Sequence, residues 1–308
     1  FQTFKKELYP GFYTYKYHKA GEKNSSVDLR VFDIEARTIR TMELPLEADG
    51  YIPRITFTAN EQELVAMTLN RNQNKFEMYF INPRSTVAKL VLREESKYYI
   101  DSKLLRHIHF LKDKFTYVSE KDGFSQIYIY GYTGTLQSQL TTGQYDVTNL
   151  LAVDATSNTV YYEAADESPM HRNVYKVNID KPKHIKLSEK RGTNSASCSD
   201  NDKYSVHRYS NSTTPTHITM HDANGKQIRV MEDNVQTATN LQAARLPQKE
   251  FIKVPAADGI TQLNGWIIKP TNFDASKKYP VVMIQYSGPN SQQVQDRYDA
   301  GWHFAMAN

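Results

Sequence analysis

The chain has 308 residues, with 38 basic and 34 acidic side chains and a formal net charge of +4. This small, mixed charge excludes the basic surface of a nucleic-acid-binding protein. No apolar run approaches the roughly 18 to 20 residues that span a bilayer, and the N-terminal residues FQTFKKELYP lack the apolar core and cleavage site of a secretory signal. Cys198 is the only cysteine, which excludes an internal disulfide bond and leaves the redox compartment open.

Strand-like segments recur along residues 1–234. An early one covers residues 29–34, and similar ones return at intervals of roughly 44 to 50 residues, which is the spacing of propeller repeats. They lie at 78–81, 127–130, 174–177 and 217–220. Each is preceded by a second strand, at 64–69, 115–119, 160–164 and 204–209, and further strands are predicted at 55–57, 108–110 and 150–154.

Three or four strands per repeat, with no helical periodicity between them, predict the β-sheet blades of a propeller. Turn signals such as Lys121-Asp122-Gly123 separate the strands, and the 21 tyrosines suit half-buried strands. We therefore predict a mainly β chain with about four blades plus the closing strand of an earlier blade. The alternative is a β-sandwich with evenly spaced strands, which shares the alternation but seldom the register of similar strand pairs.

The pattern changes between residues 235 and 250. Residues 235–246 favour a short helix that Pro247 ends, and strands are predicted at 250–254 and 263–270 on either side of a turn at 256–259. We interpret residues 235–250 as a linker between a propeller segment, residues 1–234, and a second domain, residues 251–308.

The second domain contains the most informative stretch, residues 278–293, KYPVVMIQYSGPNSQQ. Residues 281–284 form a continuous apolar run of the kind that a parallel sheet covered on both faces requires, and the run leads to Tyr286 and a rigid turn at 287–290. This arrangement predicts the first strands of an α/β-hydrolase domain. No Gly-x-Ser-x-Gly nucleophile elbow appears before Asn308.

Two histidine pairs are candidate metal ligands. His107 and His109 lie two apart on a predicted strand and share a face, but no cysteine or carboxylate motif accompanies them. His217 and His221 are four apart, which separates them by roughly 13 Å on a strand. We therefore predict no metal site.

Three other polar positions have both a functional and an ordinary explanation. Arg71 either lines an inner tunnel of the propeller or caps a blade edge as an ion-pair partner. Asn24 and Asn211 each begin an N-glycosylation pattern, but this short pattern often occurs by chance.

Six segments, in order and at matching spacings, resemble one known family. They are YKYHKAGEKN at 15–24, LNRNQN at 69–74, SEKDGFSQ at 119–126, RNVYK at 172–176, EDN at 232–234, and residues 279–292, which are similar to a YP…YAGP-x-SQ motif. The family is the dipeptidyl peptidase IV group of prolyl oligopeptidase-type serine peptidases, and its bacterial members in particular. The resemblance covers nearly the whole chain.

The resemblance implies the second half of an eight-bladed propeller followed by the first strands of an α/β-hydrolase domain. It also implies a serine exopeptidase that removes Xaa-Pro or Xaa-Ala dipeptides from peptide N-termini, without a cofactor, as a homodimer, in the periplasm or secreted if the source is bacterial. The family's catalytic triad would lie beyond Asn308 and its amine-binding glutamate pair before Phe1, so we expect this chain alone to be inactive. Glu94 and Glu95 are not that pair, because they lack the preceding aromatic run.

The resemblance places one catalytic group within this chain. Tyr286 occupies the position whose phenol donates a hydrogen bond to the oxyanion that forms during peptide-bond attack. A preorganised donor at such a position is typically worth about 3 to 4 kcal/mol of the barrier. The alternative is that Tyr286 ends a strand and fills a domain interface.

Two other classes of function remain open. In the first, the parent protein has lost its triad, and its propeller binds a protein partner. Retention of Tyr286 favours the enzyme, because an inactive descendant has no physical need for an oxyanion donor. A binding module of the WD40 type fits less well, because Gly-His and Trp-Asp signatures are missing.

Overall fold

The computed structural model describes residues 2–17, 19–199, 203–286, 288 and 290–307. These residues form 21 β-strands, two short α-helices and one 3-10 turn. Neither helix in the described part of the chain has the length and apolar character needed to cross a membrane. The chain divides into two compact units, residues 1–105 and 106–308.

The first unit contains two hairpins and one complete sheet. The hairpins pair β1 (Gln2–Thr3) with β2 (Gly11–Phe12), and β3 (Arg30–Asp33) with β4 (Thr38–Thr41). Blade 1 is an antiparallel sheet of β5 (Tyr51–Phe57), β6 (Leu64–Leu69), β7 (Lys75–Ile81) and β8 (Ala88–Glu95), in that order. The strand predicted at 29–34 is observed as β3, which forms a hairpin with β4, and its assignment as the closing strand of an earlier blade stays a prediction.

The two middle strands of blade 1 are almost completely buried, because most of their side chains on both faces are apolar. On one face, Leu64 and Ile81 belong to a core cluster with Met42, and Val31 packs against that cluster. The segment that precedes the blade therefore covers part of the sheet.

Blade 1 also buries a carboxylate, that of Glu77 on β7. The Tyr79 hydroxyl donates to Oε2 at 2.9 Å, and Nη2 of Arg93 lies 2.6 Å from Oε1. Burial raises the pKa of Glu77, but the hydrogen bonds from Tyr79 and Arg93 lower it further than burial raises it, so the net pKa lies below its ordinary value. Burial and the contact with Glu77 raise the pKa of Tyr79 to about 12.

The second unit contains three consecutive antiparallel sheets. Blade 2 has three strands, β9 (Lys114–Ser119), β10 (Gln126–Gly131) and β11 (Leu136–Gln139). Blade 3 has β12 (Val147–Asp154), β13 (Thr159–Ala164), β14 (Asn173–Asn178) and β15 (His184–Lys186). Blade 4 has β16 (Thr193–Cys198), β17 (Tyr204–Asn211), β18 (Thr214–Asp222) and β19 (Gln227–Glu232).

The turn between β9 and β10 shows what one of the family-like segments does. Lys121 Nζ lies 3.8 Å from the ring centroid of Tyr128 and donates to the Tyr130 hydroxyl at 2.9 Å. The Tyr128 hydroxyl in turn donates to Asp122 Oδ2 at 2.6 Å, and Gly123 supplies a left-handed φ of 95°. The SEKDGFSQ segment is therefore a blade turn, whose lysine and aspartate contact two tyrosines of β10.

The predicted repeat of blade sheets is confirmed. The strands predicted at 64–69, 78–81, 115–119, 127–130, 160–164, 174–177, 204–209 and 217–220 all lie within observed strands. Each sheet uses strands that are consecutive in the sequence, which is the arrangement of propeller blades and does not fit the β-sandwich alternative.

The strand predicted at 108–110 is wrong. A 3-10 turn, Leu104–His107, precedes this segment, and only an isolated bridge joins Phe110 to Phe115. The Thr116 hydroxyl donates to the His107 carbonyl at 3.0 Å and accepts the His109 N–H at 3.0 Å. Because a side chain satisfies these backbone groups, they are not used in a strand ladder.

The C-terminal part contains α1 (Val235–Ala243), the hairpin of β20 (Lys249–Pro255) and β21 (Gln262–Ile268), and α2 (Trp302–Ala307). Helix α1 ends before residue 246, because Arg245 adopts a left-handed φ of 47° ahead of Pro247. Residues 235–250 lie inside the second compact unit, and the proposed domain boundary there stays a prediction.

The buried strand predicted at 281–284 is not formed among the described residues. These residues have no strand assignment, and Val281 and Met283 are 86% and 87% exposed. A parallel strand exists only through hydrogen bonds to neighbouring strands, and no strand of the described residues pairs with this segment.

Candidate functional site

Tyr286 follows this exposed apolar segment, and its own side chain is 65% exposed. A Cβ atom at Gly288 would lie 2.6 Å from Tyr286 Cε1, so the tyrosine ring lies close to the turn backbone, where a larger residue would displace it. Ser287 and Pro289 of the predicted turn lie outside the described residues. The phenol is thus an exposed hydrogen-bond donor, as a role in binding or catalysis requires.

Blades 3 and 4 meet along a hydrogen-bonded contact that we call the seam, formed by residues 170–172 and 192–194. The Arg172 N–H donates to the Gly192 carbonyl at 3.1 Å, and the Asn194 N–H donates to the Arg172 carbonyl at 2.9 Å. Gly192 has a φ of 142°, and a Cβ there would lie 2.5 Å from the Ser210 carbonyl oxygen. The seam therefore requires glycine at this position.

A carboxyl group with an unusual pKa lies between the same two blades. Glu163 on β13 accepts the Ala196 N–H of β16 at 3.4 Å. Burial raises the pKa of Glu163 to about 7, although the Ala196 hydrogen bond and the charge of Arg172 act in the opposite direction. Burial likewise lowers the pKa of the Arg172 guanidinium.

The segment after Tyr286 packs against both the blades and the β20–β21 hairpin. Lys249, with a side chain only 5% exposed, lies 5.2 Å from the ring centroid of Trp266 and 3.9 Å from Asp299. Burial lowers the pKa of Lys249. His303 on α2 lies 3.2 Å from Asp299 and 5.3 Å from the Trp266 ring, so these four side chains join the hairpin to the end of the described chain.

Blade 4 contains a stacked histidine pair that sequence reasoning missed. The rings of His207 and His221 lie 4.1 Å apart at 22°. Ser205 Oγ lies 2.9 Å from His207 Nε2, and His221 Nδ1 donates to the Gly225 carbonyl at 3.0 Å. Burial, and to a smaller extent His221, lowers the pKa of His207 to about 4. The β17–β18 register places Ser205 opposite His221 and His207 opposite Thr219, which makes the two histidines diagonal neighbours. A correct prediction of this register would have identified the pair.

The histidines considered as metal ligands have other environments. His107 and His109 surround Thr116 through their backbones, and His221 stacks on His207 rather than meeting His217. In the described ranges, no group of three or more His, Cys, Asp and Glu side chains could hold a metal ion.

The remaining sequence candidates lie at blade edges or in turns. Arg71 lies 3.7 Å from Asp49 and donates to the Glu22 carbonyl, which fits its explanation as an ion-pair partner. Glu94 and Glu95 end the outer strand β8.

Both asparagines of the glycosylation patterns use their side-chain amides within the fold. Asn24 donates to the Asp49 carbonyl at 2.8 Å, and Asn211 donates to the Tyr209 hydroxyl at 3.0 Å.

Comparison with known proteins identifies the family. The model described as the dipeptidyl peptidase IV (DPP IV) N-terminal region matches residues 1–216. The chain belongs to the dipeptidyl peptidase IV family. The crystal structure of Porphyromonas gingivalis dipeptidyl peptidase 4 is similar with a TM-score of 0.91 and 46% identity, covering 100% of this chain and 44% of that one.

More distant relatives agree with this assignment. A probable dipeptidyl-aminopeptidase B from Aspergillus oryzae is 28% identical over 98% of this chain and 35% of its own length. A probable dipeptidyl peptidase 4 from Trichophyton verrucosum is 26% identical over 95% of this chain and 40% of its own. A putative dipeptidyl aminopeptidase IV from Bacteroides ovatus shares the fold, with a TM-score of 0.83 at 23% identity, over 98% of this chain and 46% of that one. The chain spans less than half the length of these family members.

Proposed function

We propose that the chain is a segment of a serine exopeptidase that removes Xaa-Pro or Xaa-Ala dipeptides from peptide N-termini. The observation that carries this proposal is the similarity of the whole chain to the dipeptidyl peptidase 4 of P. gingivalis, at 46% identity. Relatives at lower identity carry dipeptidyl peptidase names as well. Peptides with proline or alanine in second place are therefore the proposed substrates of the intact protein.

The proposal assigns a part to each region of the chain. Residues 1–234 form the second half of an eight-bladed propeller that restricts access of substrates, residues 235–250 are a linker, and residues 251–308 begin the hydrolase domain. The exposure of the apolar residues 281–284 supports the last point, because a segment of this composition is stable in water when other strands cover it. We propose that the intact protein forms a homodimer.

In this proposal Tyr286 is a catalytic residue. Attack on the scissile carbonyl places negative charge on its oxygen, and a phenol held near that oxygen stabilises the charge as it develops. Tyr286 is 65% exposed, so it does not fill an interface among the described residues. Serine nucleophile, acid and base would come from the remainder of the hydrolase domain.

Substitution Tyr286→Phe in the intact protein tests this role. The change removes one hydroxyl and keeps the ring, so kcat for a Gly-Pro amide should fall by about 10² to 10³ while KM changes much less. Tyr279→Phe is a matched control on the same segment. Its hydroxyl accepts the Asp274 N–H at 2.9 Å and its ring stacks on Phe273, so we expect it to keep most of its kcat.

The possible results separate the alternatives. If Tyr286→Phe keeps more than about half of the wild-type kcat at an unchanged melting temperature, the tyrosine is an interface filler and the catalytic assignment is wrong. If the intact wild-type protein releases no dipeptide from a Gly-Pro substrate, the inactive, protein-binding alternative is favoured instead.

A further inference from the structure

Asp296 fastens the segment that follows Tyr286 to the blades. Its backbone N–H donates to the Met170 carbonyl at 3.0 Å, and its carbonyl accepts the Thr193 hydroxyl at 2.9 Å. Its carboxylate Oδ1 accepts the Ser212 N–H at 2.8 Å, and Oδ2 lies 3.6 Å from His171 Nε2. Asp296 thus makes three hydrogen bonds to the propeller segment, two through its backbone and one through its side chain.

These contacts lie at the seam and join both of its blades. Met170 belongs to the connection between β13 and β14 of blade 3, whereas Thr193 begins β16 and Ser212 lies in the β17–β18 turn of blade 4. The environment is enclosed, since the side chain of Asp296 is 17% exposed and that of His171 is 3% exposed. Two residues further on, the Tyr298 N–H donates to Ser210 Oγ at 3.3 Å, so the attachment continues along blade 4.

The attachment limits where Tyr286 can go. Tyr286 and Asp296 are ten positions apart, and an extended segment of that length reaches up to about 33 Å. Residues 281–284 are exposed and pair with no strand of the described residues, whereas the seam contact attaches the chain on the C-terminal side of Tyr286. A misplacement of about 1 Å can lower an enzymatic rate 10²-fold, so an attachment that limits the position of this segment matters for a group that acts on an oxyanion.

We propose that Asp296 is a positioning residue, which attaches the segment that follows Tyr286 to the seam of blades 3 and 4 and thereby sets the alignment of the phenol with the substrate carbonyl. This inference rests on the proposed catalytic function of Tyr286. In this proposal the seam joins blades 3 and 4 to each other and also attaches the segment that follows Tyr286 to both of them.

A double-mutant cycle in the intact protein tests the proposal. Asp296→Ala should lower kcat for a Gly-Pro amide by about 10-fold or more with a smaller change in KM, because the alignment matters most in the transition state. In a Tyr286→Phe background the same substitution should change kcat by less than about twofold, since the group that it positions is already absent. Asp296→Asn keeps an acceptor for the Ser212 N–H and should restore most of the activity.

Matched variants keep the test decisive. Asp299→Ala lies on the same segment but contacts Lys249 and His303 instead of the seam, and we expect it to keep the wild-type kcat. Thr193→Val removes only the hydroxyl that donates to the Asp296 carbonyl and retains the side-chain shape. If Asp296→Ala does not fold, Thr193→Val should lower kcat in the wild-type background and leave it unchanged in the Tyr286→Phe background.

Two results would overturn the inference. If Tyr286→Phe lowers kcat but the effects of Asp296→Ala and Tyr286→Phe multiply independently, Asp296 does not act through the tyrosine, although the proposed function stands. If Tyr286→Phe has no effect on kcat, the catalytic assignment of Tyr286 fails, and the positioning inference fails with it.

Discussion

Acidification should destabilise blade 4 through His207. This side chain is 8% exposed, and burial together with His221 lowers its pKa from the ordinary 6.5 to about 4. Between those two pH values the unfolded chain therefore binds a proton that the folded blade excludes. Stability decreases with falling pH wherever the unfolded state binds more protons than the folded state. The contribution of His207 to stability is therefore complete above pH 6.5 and is lost as the pH falls toward 4.

The size of the effect follows from the two pKa values. It corresponds to a loss of about 2 kcal/mol in the free energy of unfolding at pH 5 and about 3 kcal/mol at pH 4. Burial also lowers the pKa of His171, so the total pH dependence contains more than one histidine. The difference between wild type and His207→Gln isolates the contribution of His207, because glutamine can still hydrogen-bond with Ser205 but does not titrate.

Urea unfolding at pH 7, 6, 5 and 4 measures this difference. Far-UV circular dichroism is the suitable probe, since the two tryptophans, Trp266 and Trp302, both lie outside blade 4. Hydrogen exchange of β17 and β18 amides locates the loss. His217→Gln, on β18 but outside the stacked pair, is the control and should follow the wild type. A wild-type stability curve parallel to that of His207→Gln from pH 7 to 4 would refute the reasoning.

Two further substitutions test the packing of the blades by urea unfolding at neutral pH. Gly192→Ala should lower the free energy of unfolding by about 3 kcal/mol or more, because it adds a close contact with the Ser210 carbonyl to a strained φ. The control Gly123→Ala, with a φ of 95° and open space around it, should lower it by about 1 to 2 kcal/mol, and equal losses would contradict the close approach at the seam. Lys121→Met should lower the free energy of unfolding by about 1 kcal/mol, because it removes the contact of the ammonium with Tyr128. The control Lys190→Met should lower it less, because the Lys190 ammonium lies 5.3 Å from the Tyr209 ring. An unchanged stability of Lys121→Met would show that the lysine does not stabilise its turn.

The amino-acid sequence by itself determined the blades. Alternation of apolar residues and the turn residues between them are local signals, and the spacing of the repeat is a property of the chain alone. The strand predicted at 64–69 is observed at those residues, and the helix predicted from residue 235 begins there. The family likewise followed from short segments whose order and spacing can be read without coordinates.

The tertiary structure decided the features that depend on partners distant in the sequence. Residues 281–284 have the composition of a buried strand, yet a strand forms only where neighbours complete its hydrogen bonds. Asp296 is 103 residues from Thr193, to which it bonds. His207 and His221 become a pair only when β17 and β18 take their register. Apolar periodicity specifies which side chains are buried, but it contains no information on which polar groups meet, because those contacts depend on the relative placement of whole sheets.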